Sequence, residues 1–172
     1  VGFCMRHVEE RLGDREEPLV YATLGSGELY PDWEVLEGLR ERGWRLAAVH
    51  AVDTVYGRSL SQATNWNWSA ANALRTLAAW LAAERVPLTA YQSLGDFSEA
   101  AGASAHVLMQ RDVDVHPDDV DVLAALRPGG LYLHLAEGPG RHFSAFRRPL
   151  RENGQSGMAA LDVIGQGTSR SA

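Results

Sequence analysis

Gly25 and Gly27 interrupt the chain after an apolar run, Leu19–Leu24, and the carboxylate of Asp53 closes a second run, Leu46–Val52. Residues of these types in this order can hold a nucleotide. Glycines where a strand gives way to a helix let a ligand approach the backbone, because no Cβ stands in its path. An acid at the tip of the next strand can accept hydrogen bonds from ribose hydroxyls, which makes this the layout of a βαβ nucleotide-binding unit. The acid comes slightly later than the usual ~20 residues, within the tolerance of the motif. A loop built for pyrophosphate needs a third glycine, and Tyr30 occupies that place, so the expected ligand is held by other groups. Asp53 reads as a loop-tip residue whose removal would cost affinity and leave stability almost unchanged.

Four more acids, Asp112, Asp114, Asp118 and Asp119, follow the apolar segment Ala105–Gln110. They fall at the expected carboxyl edge of a sheet, where open α/β folds bind ligands. Several read as surface or first-turn acids, and Asp112 is the candidate catalytic base. Asp112, Asp114 and His116 are metal-ligand types, but no further His or acid stands at diagnostic spacing, so no metal is expected. His50 and His106 lie inside apolar segments and read as core residues. Trp66 and Trp68 read as anchors of the core or of a lid. Arg141, His142, Arg147, Arg148 and Arg151 form a local basic cluster that reads as a solvated rim. An anionic substrate or nucleic acid is its less favoured reading.

The elements that must position these residues alternate. Met5–Glu16 reads as a charged leading helix and Leu19–Leu24 as the first strand. Asp32–Arg42 carries Trp33, Leu36 and Leu39 on one face, with Pro31 suited to the first turn and Gly43 to the C-terminal cap. Leu46–Val52 is the second strand. Ser69 is placed as the cap of a helix reaching Glu84, with Leu74, Leu77 and Leu81 inward. Leu88–Tyr91 and Ala105–Gln110 are short strands. Asp118–Leu126 is a helix stopping at Arg127-Pro128-Gly129-Gly130, and Leu131–Ala136 is the fifth strand. Phe143–Arg148 and Met158–Ile164 are too close for a crossover helix, so they should pair as an antiparallel hairpin.

With 172 residues, a 45% hydrophobic fraction and a net charge of −6, the chain suits one globular domain and disfavours a broad polyanion-binding surface. The expected division is a leading helix at 1–17, a Rossmann-like core at 18–136, and a terminal hairpin and tail at 137–172. No apolar stretch approaches the ~20 residues that span a bilayer, which predicts a soluble, cytoplasmic protein with no membrane partner. The single cysteine, Cys4, excludes an internal disulfide. The chain opens Val1-Gly2-Phe3-Cys4-Met5, neither an initiator Met nor a signal peptide, which leaves open that it is a fragment of a longer protein.

Five alternating units closed by a hairpin resemble the class I S-adenosylmethionine-dependent methyltransferases. The resemblance is carried by Gly25-Ser26-Gly27, by Asp53, by Gly95-Asp96-Phe97 and by the stretch Ala105–His116. Leu123-Ala124-Ala125-Leu126-Arg127-Pro128-Gly129-Gly130-Leu131 matches the family's L-x-P-G-G turn into the fifth strand. The chain departs from the family's first motif twice: Thr23 stands where an acid is usual and Leu29 where the third glycine is usual. The resemblance implies a doubly wound, mostly parallel seven-stranded sheet ending in an antiparallel hairpin. It implies S-adenosylmethionine as cofactor, with Gly25, Ser26 and Gly27 against its methionine part, Asp53 and Thr54 at the ribose, and Gly95, Asp96 and Phe97 at the adenine. The open alternatives are a plain tight turn for the glycines, a loop acid or Asx turn for Asp53 and a helix N-cap for Asp96. The implied activity is methyl transfer to an unidentified acceptor. The alternative, suggested by Thr23, Leu29 and the lack of an insertion for a substrate lid, is a catalytically inactive interaction module. A nicotinamide-dependent enzyme is a third reading, which Tyr30 disfavours.

Overall fold

Strands in the middle of a parallel sheet have helices on both faces, so their sequences are continuously apolar. The run Leu19–Leu24 behaves this way as β1, with only Val20 less than fully buried. The structure, a computed structural model, describes residues 2–13, 16–57, 65–111, 113, 115–136, 142–149 and 158–165. Its elements are α1 (Gly2–Leu12), β1 (Leu19–Leu24), α2 (Tyr30–Glu41), β2 (Leu46–Val52), α3 (Asn65–Ala82) and β3 (Leu88–Tyr91). They continue with α4 (Leu94–Ala101), β4 (Ala105–Arg111), α5 (Val120–Ala125), β5 (Leu126–Ala136), β6 (His142–Arg147) and β7 (Ala159–Gly165). A 3-10 turn, Thr54–Gly57, follows β2.

The seven strands form one sheet in the order β3-β2-β1-β4-β5-β6-β7. The first five are parallel. β6 runs antiparallel to β5, and β7 runs antiparallel to β6 with Phe143 opposite Ile164, so the expected hairpin is present. Alternate strand residues feed two apolar layers. Tyr21, Val49, Met109, Leu131 and Leu133 meet α1, α2 and α3 through Met5, Val8, Leu36, Leu39, Leu77 and Leu81. Ala22, Leu24, Leu108 and Tyr132 meet α4 and α5 through Leu94, Phe97, Val122 and Ala125. Each fully buried leucine here contributes about 1.5–3 kcal/mol.

Several boundaries differ from expectation, beginning with α1, which runs from Gly2 to Leu12 and not from Met5 to Glu16. α3 begins at Asn65, so Ser69 lies inside the helix and is not its cap. α5 is shorter than Asp118–Leu126 because Asp119 is the N-cap, its side chain accepting from the Asp121 N–H at 2.9 Å. The Pro-Gly-Gly segment is part of β5, where a register shift lets Ala105 face Leu126 and Val107 face Leu131. The Gly129 N–H donates to the Arg148 carbonyl at 2.8 Å and the Arg148 N–H to the Gly130 carbonyl at 2.9 Å.

The described part of the basic cluster is structural. The Arg148 guanidinium donates to the carbonyls of Leu123 and Leu126, and Arg147 Nε donates to the Gly129 carbonyl at 3.2 Å. The two Arg148 bonds satisfy carbonyls that the end of α5 leaves without helical partners. Arg141 and Arg151 lie outside the described residues, as do the side chains of His142, Trp66 and Trp68. His106 is satisfied in the core: Nδ1 accepts from the Val20 N–H at 3.1 Å, and Nε2 lies 3.3 Å from Glu17. His50 packs its ring 4.8 Å from Phe97, while its buried Nδ1 has no partner. Burial lowers the pKa of both histidines.

Candidate functional site

The carboxyl ends of β1, β2 and β3 and the segment after β4 surround a cleft of about 260 Å³. Strand order reverses between β1 and β4, and open α/β sheets bind ligands at such a switch point. Leu24 and Gly25 line the cleft from the first turn, Asp53 and Thr54 from the second, and Gln92, Ser93 and Leu94 from the third. Val113 and Val115 close it from beyond β4, and Asp119 and Asp121 from the start of α5.

The glycine loop has the shape its composition suggests. Gly25 and Gly27 take φ of 72° and 47°, and Leu29 takes 62° without being glycine. The third-glycine position therefore keeps a left-handed backbone, while its leucine side chain is buried in the core. At Gly25 an added Cβ would lie 2.3 Å from the Arg111 carbonyl oxygen. The glycine thus serves close packing against the end of β4 as well as access to the cleft.

Asp53 is more tied down than a loop-tip acid. Its Oδ2 accepts from the Gly27 N–H at 2.9 Å and its Oδ1 from the Val55 N–H at 3.0 Å. Each carboxylate oxygen retains a second lone pair for a ligand hydroxyl. Tyr56 completes this lock. Its hydroxyl lies 2.7 Å from Ser26 Oγ and 3.1 Å from the Gly27 carbonyl. Burial raises the Tyr56 pKa, which keeps the phenol protonated and able to donate. Ser26 and Gly27 are consequently covered, and of the three loop residues only Gly25 lines the cleft.

The expected adenine group separates. Ser93 and Asp96 form a reciprocal capping box on α4, with the Asp96 N–H donating to Ser93 Oγ and the Ser93 N–H to Asp96 Oδ2, both at 3.1 Å. Phe97 is fully buried between His50 and Tyr91. Gly95, Asp96 and Phe97 are not among the residues lining the cleft, and Gln92, Ser93 and Leu94 hold that side instead. Asp112, the candidate base, and Asp114 lie outside the described residues. Gln110 Nε2 donates to the carbonyls of Val113 and Val115 at 2.5 and 3.2 Å. The Tyr132 hydroxyl sits between Gln110 Oε1 and the Val115 carbonyl.

Sequence reasoning missed Tyr56, whose only signal is its place three residues after Asp53, the return distance of a 3-10 turn. It also missed Asp32, fully buried in the first turn of α2 with Oδ1 accepting from the Tyr21 hydroxyl at 2.8 Å. Burial pushes the Asp32 carboxyl up to about 6, against the opposing pull of the Thr23 and Tyr21 hydroxyls. Thr23, in the place of the usual acid, is itself fully buried. Among the described residues, no group of three or more His, Cys, Asp or Glu could hold a metal ion. Nor is any helix among them long and apolar enough to cross a membrane.

No protein-family model matches the chain, and no curated protein does. Solved structures do. The CMeT domain of the citrinin polyketide synthase superposes with a TM-score of 0.50 at 15% identity, covering 79% of this chain and 34% of that one. This chain therefore spans about a third of the length of that structure. A putative protein-L-isoaspartate O-methyltransferase from Plasmodium falciparum, in complex with S-adenosyl-L-homocysteine, matches at 10% identity with a TM-score of 0.48. That match covers 91% of this chain and 68% of the other. A parallel sheet in the order 3-2-1-4-5, closed by two antiparallel strands, with a glycine loop after β1 and an acid after β2, gives this chain a class I methyltransferase-like fold.

Proposed function

We propose that the chain binds S-adenosylmethionine in this cleft and directs its methyl group to an acceptor. The observation that supports the reading most is the charge of the lining. Asp53, Asp119 and Asp121 contribute three carboxylates, and among the described residues no Lys, Arg or His lines the cleft. Such a wall suits a cationic sulfonium and an ammonium group and repels the pyrophosphate of a dinucleotide. Bound there, the cofactor would supply a methyl group already activated by the positive sulfur.

The chain's own part is to hold and orient. In this reading Asp53 and Thr54 receive the ribose hydroxyls, Gly25 passes the ligand along the backbone, and Gln92, Ser93 and Leu94 meet the base, a division supported by their positions in the lining. Asp119 and Asp121 add negative potential across the opening. Alignment of this kind supplies most of the rate in a displacement whose leaving group needs no activation. Proton removal from the acceptor is assigned to Asp112.

A second reading draws on the closed loop. The Gly27 N–H and carbonyl are already bonded to Asp53 and Tyr56, which suits a catalytically inactive module that keeps the fold as an interaction surface. Calorimetric titration with S-adenosylhomocysteine, S-adenosylmethionine and NAD separates the two. The proposal expects saturable heat with both sulfur ligands and none with NAD. No heat from either at millimolar concentration overturns it and leaves the module.

A further inference from the structure

A second cavity, of about 420 Å³, lies between the start of α2 and the middle of α3. Its size falls within the range of small-molecule sites. Glu28, Tyr30 and Trp33 line it from one side and Ser69, Asn72 and Thr76 from the other. Glu28 lies three residues beyond Gly25, so their Cα atoms are at most about 11 Å apart and the two cavities are neighbours.

Three features select the ligand. The lining contains one ionised side chain among the described residues, the Glu28 carboxylate, and no cation. The start of α2 is also a poor anion site, because Pro31 lacks an N–H and Asp32 adds a second carboxyl in the first turn. Finally, Tyr30 is 69% exposed, an aromatic ring left uncovered beside the cavity. Trp33 continues the aromatic wall, 5.2 Å from Trp80, and on Trp80 a cation is already seated: the Arg40 guanidinium, 4.5 Å from the ring centroid. Aromatic faces beside a carboxylate favour an ammonium ion carried on a flat apolar body.

We infer that this cavity is a binding site for a small aromatic amine, with Glu28 receiving the ammonium and Tyr30 and Trp33 contacting the ring. The site stands without the methyl-donor reading. If that reading holds, the amine belongs to the acceptor class, and this assignment alone would fall with it.

The test is calorimetry at low salt with tryptamine as probe, indole-3-acetate as its anionic counterpart, and no cofactor present. Expected is saturable tryptamine binding that weakens about tenfold or more in Glu28→Gln and in Tyr30→Ala, with indole-3-acetate weaker by a similar factor. Melting temperatures should match the parent, since Tyr30 is exposed and Glu28→Gln is nearly isosteric. Absence of saturable tryptamine binding up to about 10 mM overturns the proposal. So does binding that either variant leaves intact, or equal affinity for the anion. Loss of S-adenosylhomocysteine binding with tryptamine binding retained would remove the methyl-transfer reading and keep the amine site.

Discussion

At Gly25 an added Cβ would meet the Arg111 carbonyl oxygen at 2.3 Å, and at Gly130 it would meet those of Ala105 and Arg127 at 2.9 Å. Both glycines are jammed against backbone, yet their surroundings diverge. Gly25 is the first of three left-handed residues in its loop, with Gly27 and Leu29, opens onto a cleft, and has that loop held from outside by Asp53 and Tyr56. Gly130 sits inside β5, where its carbonyl accepts from the Arg148 N–H, beside a smaller cavity lined by Glu17, His106, Arg127 and Gly129. Crowding at a glycine therefore does not distinguish a ligand loop from a structural junction. What distinguishes them is the state of the neighbouring polar groups: three carboxylates face the cleft at Gly25 with no cation among the described lining residues, whereas the carboxylate beside the Gly129-Gly130 junction, Glu17, is already paired with Arg127 and His106.

The pair of glycines offers the largest test of that contrast. Gly25→Ala should cost about 3–5 kcal/mol, combining a left-handed backbone with a contact against an immovable carbonyl, and should abolish S-adenosylhomocysteine binding in whatever fraction stays folded. Gly130→Ala should cost about 1–3 kcal/mol and bind the ligand as the parent does. Denaturant melts and calorimetry on both variants check this, and equal loss of ligand binding in the two would erase the distinction.

The next effect concerns the acid beneath the first loop, for which the β5 junction has no counterpart. Asp32 has its folded pKa raised by burial from the usual 3.8 to about 6. Its protonated form is the one the fold prefers, so this contribution is complete below about pH 4 and fades as pH rises through 6. Asp32→Asn should remove that decline, a difference reaching on the order of 3 kcal/mol. Stability curves of parent and variant that run parallel from pH 4 to 7 would show that Asp32 does not titrate in this way.

Asp53 gives the smallest effect and corrects an expectation. Because it accepts from the N–H groups of Gly27 and Val55, Asp53→Ala should lower stability by about 1–3 kcal/mol, and not leave it unchanged. Affinity for S-adenosylhomocysteine should fall about tenfold or more. A variant that binds as well as the parent would move the ribose away from this residue.

Much of the framework was legible because local signals and tertiary burial agree. The apolar run Leu19–Leu24 is β1 itself, since a parallel strand covered on both faces has no polar alternation to blur its ends. Leu46–Val52 and Leu88–Tyr91 match β2 and the edge strand β3, whose Thr89 and Ala90 are exposed. Of the residues singled out in the sequence, Gly25, Asp53 and Thr54 do line the cleft. Gly95-Asp96-Phe97 do not line it: an acid three residues after Ser93 suits a capping box as well as a ligand, and Asp96 forms that box. Tyr56 and Asp32 escaped because their roles depend on which distant groups the fold brings to them.

The left-handed turn at Leu29 has a consequence for how the position can change over time. Leucine there sustains a backbone cost of about 1–2 kcal/mol, held in place by a side chain only 2% exposed. Replacing it by glycine would relieve that strain but empty part of the core, a loss of about 2–5 kcal/mol by the cost of comparable truncations. The exchange is therefore uphill in that direction. A lineage that carries this leucine is steered away from the third glycine even while its loop keeps the same path, so the loop's shape can persist after its signature has gone.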